Sequence, residues 1–283
     1  MKFDAYAGNV WSGPSCSEVA EVIAIAAHAR VERGRPRGRY TDVFDVNDGA
    51  DMIGWVGRDA MIDTAYFEFK GARTPVTADA IRKHWPSKHT VSRADACEDL
   101  EHPDAFETVT RMFDAAKDPR VQSLLMAPRD GDRGRTIYWG STQSRVYVRL
   151  YEAGKMKERL HHGRPNWVRP EGQFRPGKAA EKLLAATLTP LEFWGLAAWT
   201  KRAAEMLCQV DVPRYAPASD PVEFDRATLY LARAFRRRFE EMRENLGDWE
   251  CIGREIESIW RADDDAAASR EALTRNRQGA NGL

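Results

Sequence analysis

The chain has 283 residues, 43% apolar and 30% charged, and its 43 basic residues are balanced by 43 acidic ones. That is enough for one large domain or two modest ones, each with a core, while a formal charge of zero argues against a protein that coats nucleic acid indiscriminately. No run approaches the roughly 18 apolar residues of a membrane span, the first residues lack the basic and apolar regions of a secretory signal, and the four cysteines have neither CxxC nor metal-like spacing. A cytoplasmic protein with reduced thiols and no membrane partner is expected.

Residues 1 to 14, with Gly8 and Gly13-Pro14, read as a loop or short edge strand. Ser15 and Glu18 form a capping-box pattern, and Val19, Val22, Ile23, Ala26 and Ala27 recur at helical spacing, which predicts a helix to about Arg33. The following RGRPRGRY cannot hold a helix; Arg35, Arg37 and Arg39 there are either phosphate contacts or a solvated connection. Tyr40–Val46, Met52–Val56 and Ala65–Lys70 are strands of an antiparallel meander, and a short helix spans Pro75–Trp85. If TVSRADACED stays extended, Val91, Arg93, Asp95, Cys97 and Asp99 share one face. A helix over Pro103–Ala116 carries Phe106, Val109 and Phe113 on one side, and Val121–Met126 is a strand or a buried turn of helix.

Arg145 to Tyr151 alternates strictly: Val146, Val148 and Leu150 point one way, and Arg145, Tyr147, Arg149 and Tyr151 the other. A sheet face with two arginines and two tyrosines suits an anionic substrate that needs a hydroxyl nearby. Its partner strand is Thr136–Gly140, and Trp167–Arg175 supplies a third strand that Pro170 and Gly172 mark as edge or distorted. Helices follow over Ala179–Ala186, Leu191–Cys208, Asp225–Leu246 and Glu250–Arg261, with a proline-rich linker at 210 to 222. The expected architecture is α+β: an antiparallel sheet with flanking helices over 1–178, a helical C-terminal region over 179–262 and a flexible tail over 263–283.

Charge is segregated along the chain. From Arg129 to Arg169 there are ten basic and four acidic residues, whereas from Asp220 to Arg270 there are nine basic and thirteen acidic. A local basic surface on a neutral protein is what a phosphate backbone meets. Walker A, dinucleotide, HExxH and GxSxG patterns are all missing from the sequence. His161 and His162 are adjacent, so on a strand they would face opposite ways; a divalent cation would lean on carboxylates, which suits Mg²⁺ or Mn²⁺.

The segment TIYWGSTQSRVYVRLYEAGK, with SRADACED upstream and NWVRPEGQFRP downstream, resembles the rolling-circle replication initiators of the transfer-type plasmid Rep family and their filamentous-phage relatives. The resemblance covers roughly residues 60 to 200 and rests on the order and spacing of three motifs. It implies a relaxase-like sheet, open to division into two pseudo-symmetric halves. It also implies nicking and rejoining of one strand at a DNA origin through a covalent 5′-phosphotyrosine. The origin would be a hairpin or single-stranded at the nick, host helicase and polymerase would be partners, and a homodimer stays open.

Matched residue by residue, the family tyrosine falls on Tyr151, with Arg149 and Arg145 flanking it to stabilise phenolate and phosphorane. Asp95 and Glu171 match the metal-holding acids, Asp99 is a third candidate, and each is alternatively a salt-bridge partner of Arg93 or Arg169. Tyr147 is the rival nucleophile or a base-stacking ring, and Lys157, Arg164, Arg169 and Arg175 are candidate phosphate contacts. The family pattern Tyr-x-Lys is broken by Ala153, which leaves Lys155 as the substitute. Two other readings stand beside the enzyme: a sequence-specific DNA-binding protein that kept the fold without catalysis, and a module whose basic face docks an acidic protein.

Overall fold

The computed structural model of the protein describes residues 1–11, 13–49, 51–59, 64–127, 134–215, 236–246, 248, 250–255 and 257–258. It divides into two compact units, Met1–Ser219 and Asp220–Leu283. The first is built on an antiparallel sheet of eleven strands: β1 (Lys2–Trp11), β2 (Arg30–Arg33), β3 (Tyr40–Asp48), β4 (Asp51–Asp59), β5 (Thr64–Lys70), β6 (His89–Cys97), β7 (Leu100–Glu101), β8 (Ser123–Met126), β9 (Thr136–Trp139), β10 (Val146–Tyr151) and β11 (Trp167–Phe174). Its helices are α1 (Cys16–Ala27), α2 (Thr74–His84), α3 (Ala105–Ala116), α4 (Ala179–Ala185), α5 (Pro190–Phe193) and α6 (Ala198–Cys208). In the second unit the helix α7 spans Arg236–Leu246.

The strands run in the order β2-β3-β4-β5-β1-β6-β11-β10-β9-β8, with β7 attached to β11. That order is a palindrome about the β1–β6 seam. Each half contributes a seam strand, a helix, four further strands and a second helix: β1-α1-β2-β3-β4-β5-α2, then β6-α3-β8-β9-β10-β11-α4, with β7 the addition in the second. The expected antiparallel sheet with flanking helices, in two pseudo-symmetric halves, is what the chain builds.

One sheet face is apolar and carries the helices. Tyr6, Val56, Phe67, Phe69, Val91, Val148, Leu150 and Phe174 are each at most 1% exposed and form one core with α1–α6. Phe113 of α3 sets its ring 5.1 Å from Trp139 of β9 and 5.8 Å from Trp194, which follows α5. Side chains of alternate residues point to the other face, which is polar, and there β1 presents Ala5 and Ala7 beside the longer side chains of β5 and β6.

Several local expectations give way to tertiary structure. Residues 2–11 form a ten-residue central strand because Phe3, Tyr6 and Val10 are core residues at the seam, which outweighs Gly8; a Cβ at Gly8 would meet the Thr90 carbonyl oxygen at 1.8 Å, so close strand approach explains the glycine. Helix α1 stops at Ala27, where His28 takes a left-handed conformation (φ 53°) and ends it. Trp167–Phe174 is a paired interior strand between β6 and β10, not an edge. Pro170 lies opposite Leu150 and offers its carbonyl to the Glu98 amide at 3.1 Å. Val91 is on the core face instead of beside Arg93, because Ser92 is an extra residue in the ladder with β1 and reverses the alternation. The helix expected over 191–208 is broken at Trp194–Leu196 into α5 and α6.

The helices α4 and α5 after residue 178 pack on β6, and α6 on α3, so they belong to the sheet unit. The start of the expected 225–246 helix, residues 128–133, most of the linker, the end of the 250–261 helix and the tail lie outside the described residues.

Candidate functional site

Ladder register decides which predicted residues meet. On the polar face Arg149 of β10 lies opposite Glu171 of β11, Tyr151 opposite Arg169, and Tyr147 opposite Gln173. One strand over, Gln173 faces Asp95 and Glu171 faces Cys97. Asp95 and Glu171 are therefore diagonal neighbours on adjacent strands of the same face, a separation of roughly 7–8 Å between backbones.

Tyr151, Glu171 and Arg149 form a hydrogen-bonded line. The Tyr151 hydroxyl donates to Glu171 Oε2 at 3.2 Å, and Arg149 Nη2 donates to Glu171 Oε1 at 2.6 Å. The guanidinium of Arg149 also sits 5.3 Å from the centre of the Tyr151 ring. Tyr151 is 6% exposed and Glu171 2%. Burial first, and the Glu171 carboxylate second, push the phenol well above its ordinary range, with Arg169, Arg159 and Arg149 pulling the other way. Burial likewise raises the Glu171 carboxyl; Arg149 opposes the shift, and the carboxylates of Asp4 and Asp95 add to it. The phenol is thus neutral at rest and faces an unusually basic carboxylate.

Asp95, 2% exposed, is gripped by both ends of the Arg93 guanidinium at 2.9 and 2.5 Å and by Gln173 Nε2 at 3.2 and 3.3 Å. The donor set of Asp95 and Glu171 is all carboxylate oxygen, the chemistry of a hard cation, and Mg²⁺ commonly uses one or two carboxylates with water and phosphate oxygens completing the shell. No group of three or more His, Cys, Asp or Glu among the described residues is spaced to hold an ion. Both carboxylates are already held by guanidinium groups, Asp95 by Arg93 and Glu171 by Arg149, so they form no closed protein cage for an ion.

The remaining candidates go elsewhere. Asp99, beyond the end of β6, accepts from Arg169 at 2.6 and 3.1 Å, Trp167 Nε1 at 2.7 Å and Lys2 at 2.6 Å, which together hold it far below the usual carboxylate range against the opposing effect of burial. Arg169, 5% exposed, also reaches Asp4 at 2.8 Å and is fully engaged. Arg145 pairs with Glu181 at the start of α4 and not with the phenol. Lys155 pairs with Glu152 at 2.8 Å, a carboxylate that Arg135 also holds through its amide and side chain. Arg175 ties the 142–144 turn and Gln173; Arg164 pairs with Glu101 at 2.6 Å, and Lys157 is exposed.

Tyr147 stacks on Tyr138 of β9, with ring centres 5.6 Å apart and planes 13° from parallel. In the first half Arg37 pairs with Asp45 at 2.7 Å and lies over Trp55, Arg39 reaches Asp59 at 3.4 Å, and Arg35 is exposed.

Sequence reasoning missed two residues. Gln173 joins Asp95 to the β11 face, and Arg159, in the turn after β10, places its guanidinium 5.5 Å from the Tyr151 ring. Gln173 could have been found from its spacing of two from Glu171; Arg159 lies in a short 3-10 helix, Lys157–His162, whose charged residues and adjacent histidines show no apolar period to reveal it.

No helix among the described residues is long and apolar enough to cross a membrane. No family model and no curated protein matches the chain. Among solved structures the fold is similar to that of a rolling circle replication initiator protein from Geobacillus stearothermophilus, at 14% identity and a TM-score of 0.49, over 76% of this chain and 98% of that one.

Proposed function

We propose that the protein is a replication initiator that nicks and rejoins one DNA strand through Tyr151. The observation that supports this reading most is the line Tyr151–Glu171–Arg149 on a polar sheet face, with Asp95 on the next strand. It coincides with the motif resemblance around the Arg-x-Tyr strand.

The Tyr151 oxygen attacks a backbone phosphorus in line with the departing 3′ oxygen. The new O–P bond makes a 5′-phosphotyrosine, the P–O3′ bond breaks, and the ester energy is kept for rejoining. A neutral phenol is a poor nucleophile, so its proton must leave during attack, and Glu171 Oε2 is the acceptor already in contact. The 3′ oxygen takes a proton from water, leaving a 3′ hydroxyl that a polymerase can extend. Arg149 offsets charge on Glu171 before attack and on the phosphorane during it.

Asp95 and Glu171 would hold Mg²⁺ or Mn²⁺, whose contribution is to polarise the scissile phosphate and offset its added charge. Because the phenol is nearly covered, the substrate must be unpaired there, as in a hairpin loop or locally melted origin. Host helicase and polymerase would act on the freed strand.

A binder without catalysis is the second reading, favoured by Ala153 in the Tyr-x-Lys position and by guanidinium groups already matched to both carboxylates. Incubation of the protein with a pool of single-stranded and hairpin DNAs and Mn²⁺ separates the two. The enzyme yields a detergent-resistant protein–DNA adduct that Tyr151→Phe lacks; retention of DNA with no cut strand in any of the pool establishes the binder.

A further inference from the structure

A cleft of about 330 Å³ opens beside the end of β11, lined by residues that include Lys2, Asp99, Arg159, Arg164, Trp167 and Arg169. Three guanidinium groups surround the Trp167 ring, at 5.0 Å (Arg159), 4.8 Å (Arg164) and 5.2 Å (Arg169). Two of them are matched: Arg164 by Glu101, and Arg169 by Asp99 and Asp4, while Lys2 shares Asp99. Arg159 differs. Its Nη1 is buried and has no hydrogen-bond partner among the described residues.

A buried charged donor without an acceptor is rare because desolvation is then uncompensated. Arg159 lines the cleft, where a small movement of its side chain would let a ligand oxygen supply the missing acceptor. The cleft lining holds four cationic side chains and only two carboxylates, and those two are committed to Arg169 and Lys2. The unmet need is for an anion that a planar guanidinium fork can grip. The exposed ring of His162, edge-on to Trp167 at 5.5 Å, also lines the cleft. Arg159 also rests on the ring of Tyr151, so an anion held by it lies next to the proposed nucleophile.

We propose that this cleft is a phosphate subsite, in which Arg159 holds a backbone phosphate of the DNA strand next to the one attacked and so sets the register of the cut. The proposal rests on the nicking reading for its purpose, but not for its test. Binding of a labelled oligothymidylate to Tyr151→Phe protein is measured at low and moderate salt, so that no covalent step contributes, and compared with the same protein carrying Arg159→Ala or Arg159→Lys.

Loss of one charge-assisted phosphate contact should weaken binding about tenfold and lower the salt slope by about 0.7, with Arg159→Lys intermediate because it keeps charge and loses the fork. Displacement by inorganic phosphate would show that the cleft takes any phosphate group; Arg159-dependent binding that resists inorganic phosphate would show that it takes the diester backbone. Binding within twofold for both variants, with an unchanged salt slope, overturns the subsite even if the wild type nicks DNA. Arg159-dependent binding by a protein that never nicks upholds the subsite and removes only the catalytic reading.

Discussion

Laying the β1–β5 ladder over the β6–β11 ladder so that Glu68 falls on Glu171 puts Trp55 where the second half has Arg149 and Gly57 where it has Tyr151. Tyr66 then takes the place of Arg169, and Ala5 that of Asp95. The core face keeps its character, with Val56 on Leu150, both fully buried, whereas the polar face shares only the glutamate. Packing against helices constrains one face of each strand and leaves the other free to diverge. The first half has used that freedom for an aromatic cluster, Tyr40, Trp55 and Tyr66, with ring centres 5.1–5.3 Å apart; the second has used it for a phenol, a carboxylate pair and their arginines.

The comparison is broken most severely by exchanging the hydroxyl. Tyr151→Phe should lower adduct formation by about a thousandfold or more, whereas Tyr66→Phe, at the matching face of the first half, should leave it within about twofold; equal losses would mean that the halves share the chemistry. Next comes the shared glutamate. Glu171→Gln strips a mostly buried carboxylate from Arg149, which is 40% exposed, and should cost about 1–3 kcal/mol in urea denaturation. Glu68→Gln, whose partner Lys70 is 60% exposed, should cost less than about 1 kcal/mol.

Each half also buries a thiol, and alkaline stability should report both. Burial foremost pushes Cys16 up to about 11 and Cys97 up to about 12, from an ordinary 9.0. The unfolded chain loses these protons first, so the stabilisation is whole below about pH 9 and falls as pH rises toward the folded values. Denaturation midpoints measured against pH should decline above that point, and Cys97→Ala should flatten the decline more than Cys16→Ala. The smallest effect is expected at Lys155: it is exposed and Arg135 keeps the buried Glu152 paired without it, so Lys155→Ala should change stability by less than about 0.5 kcal/mol and nicking by less than about threefold. A large loss of nicking would return Lys155 to the chemistry.

The alternation in Arg145–Tyr151 and the carboxylate motifs were legible because a period of two survives into the sheet, and it put Tyr151, Arg149, Asp95 and Glu171 on one face. The place of β1 was not, since its glycine answers a carbonyl on β6 that no local pattern reveals. Arg145 turns to Glu181, an acid whose proximity depends on how α4 packs, and Lys155 turns back to Glu152, three residues earlier in the chain. Arg159 and the cleft beside Trp167 arise from the short 3-10 helix Lys157–His162 lying beside the start of β11, a segment with no apolar period in the sequence.

The central claim is that the DNA-linked group is the hydroxyl of Tyr151. Trypsin cleaves after Arg149 and Lys155, so the peptide from Leu150 to Lys155 carries Tyr151 as its single tyrosine, while Tyr147 falls in the peptide Val146 to Arg149. Mass spectrometry of the digested adduct should find the nucleotide mass on the first of these peptides. Its appearance on the second, or on any peptide of the first half, would contradict the account.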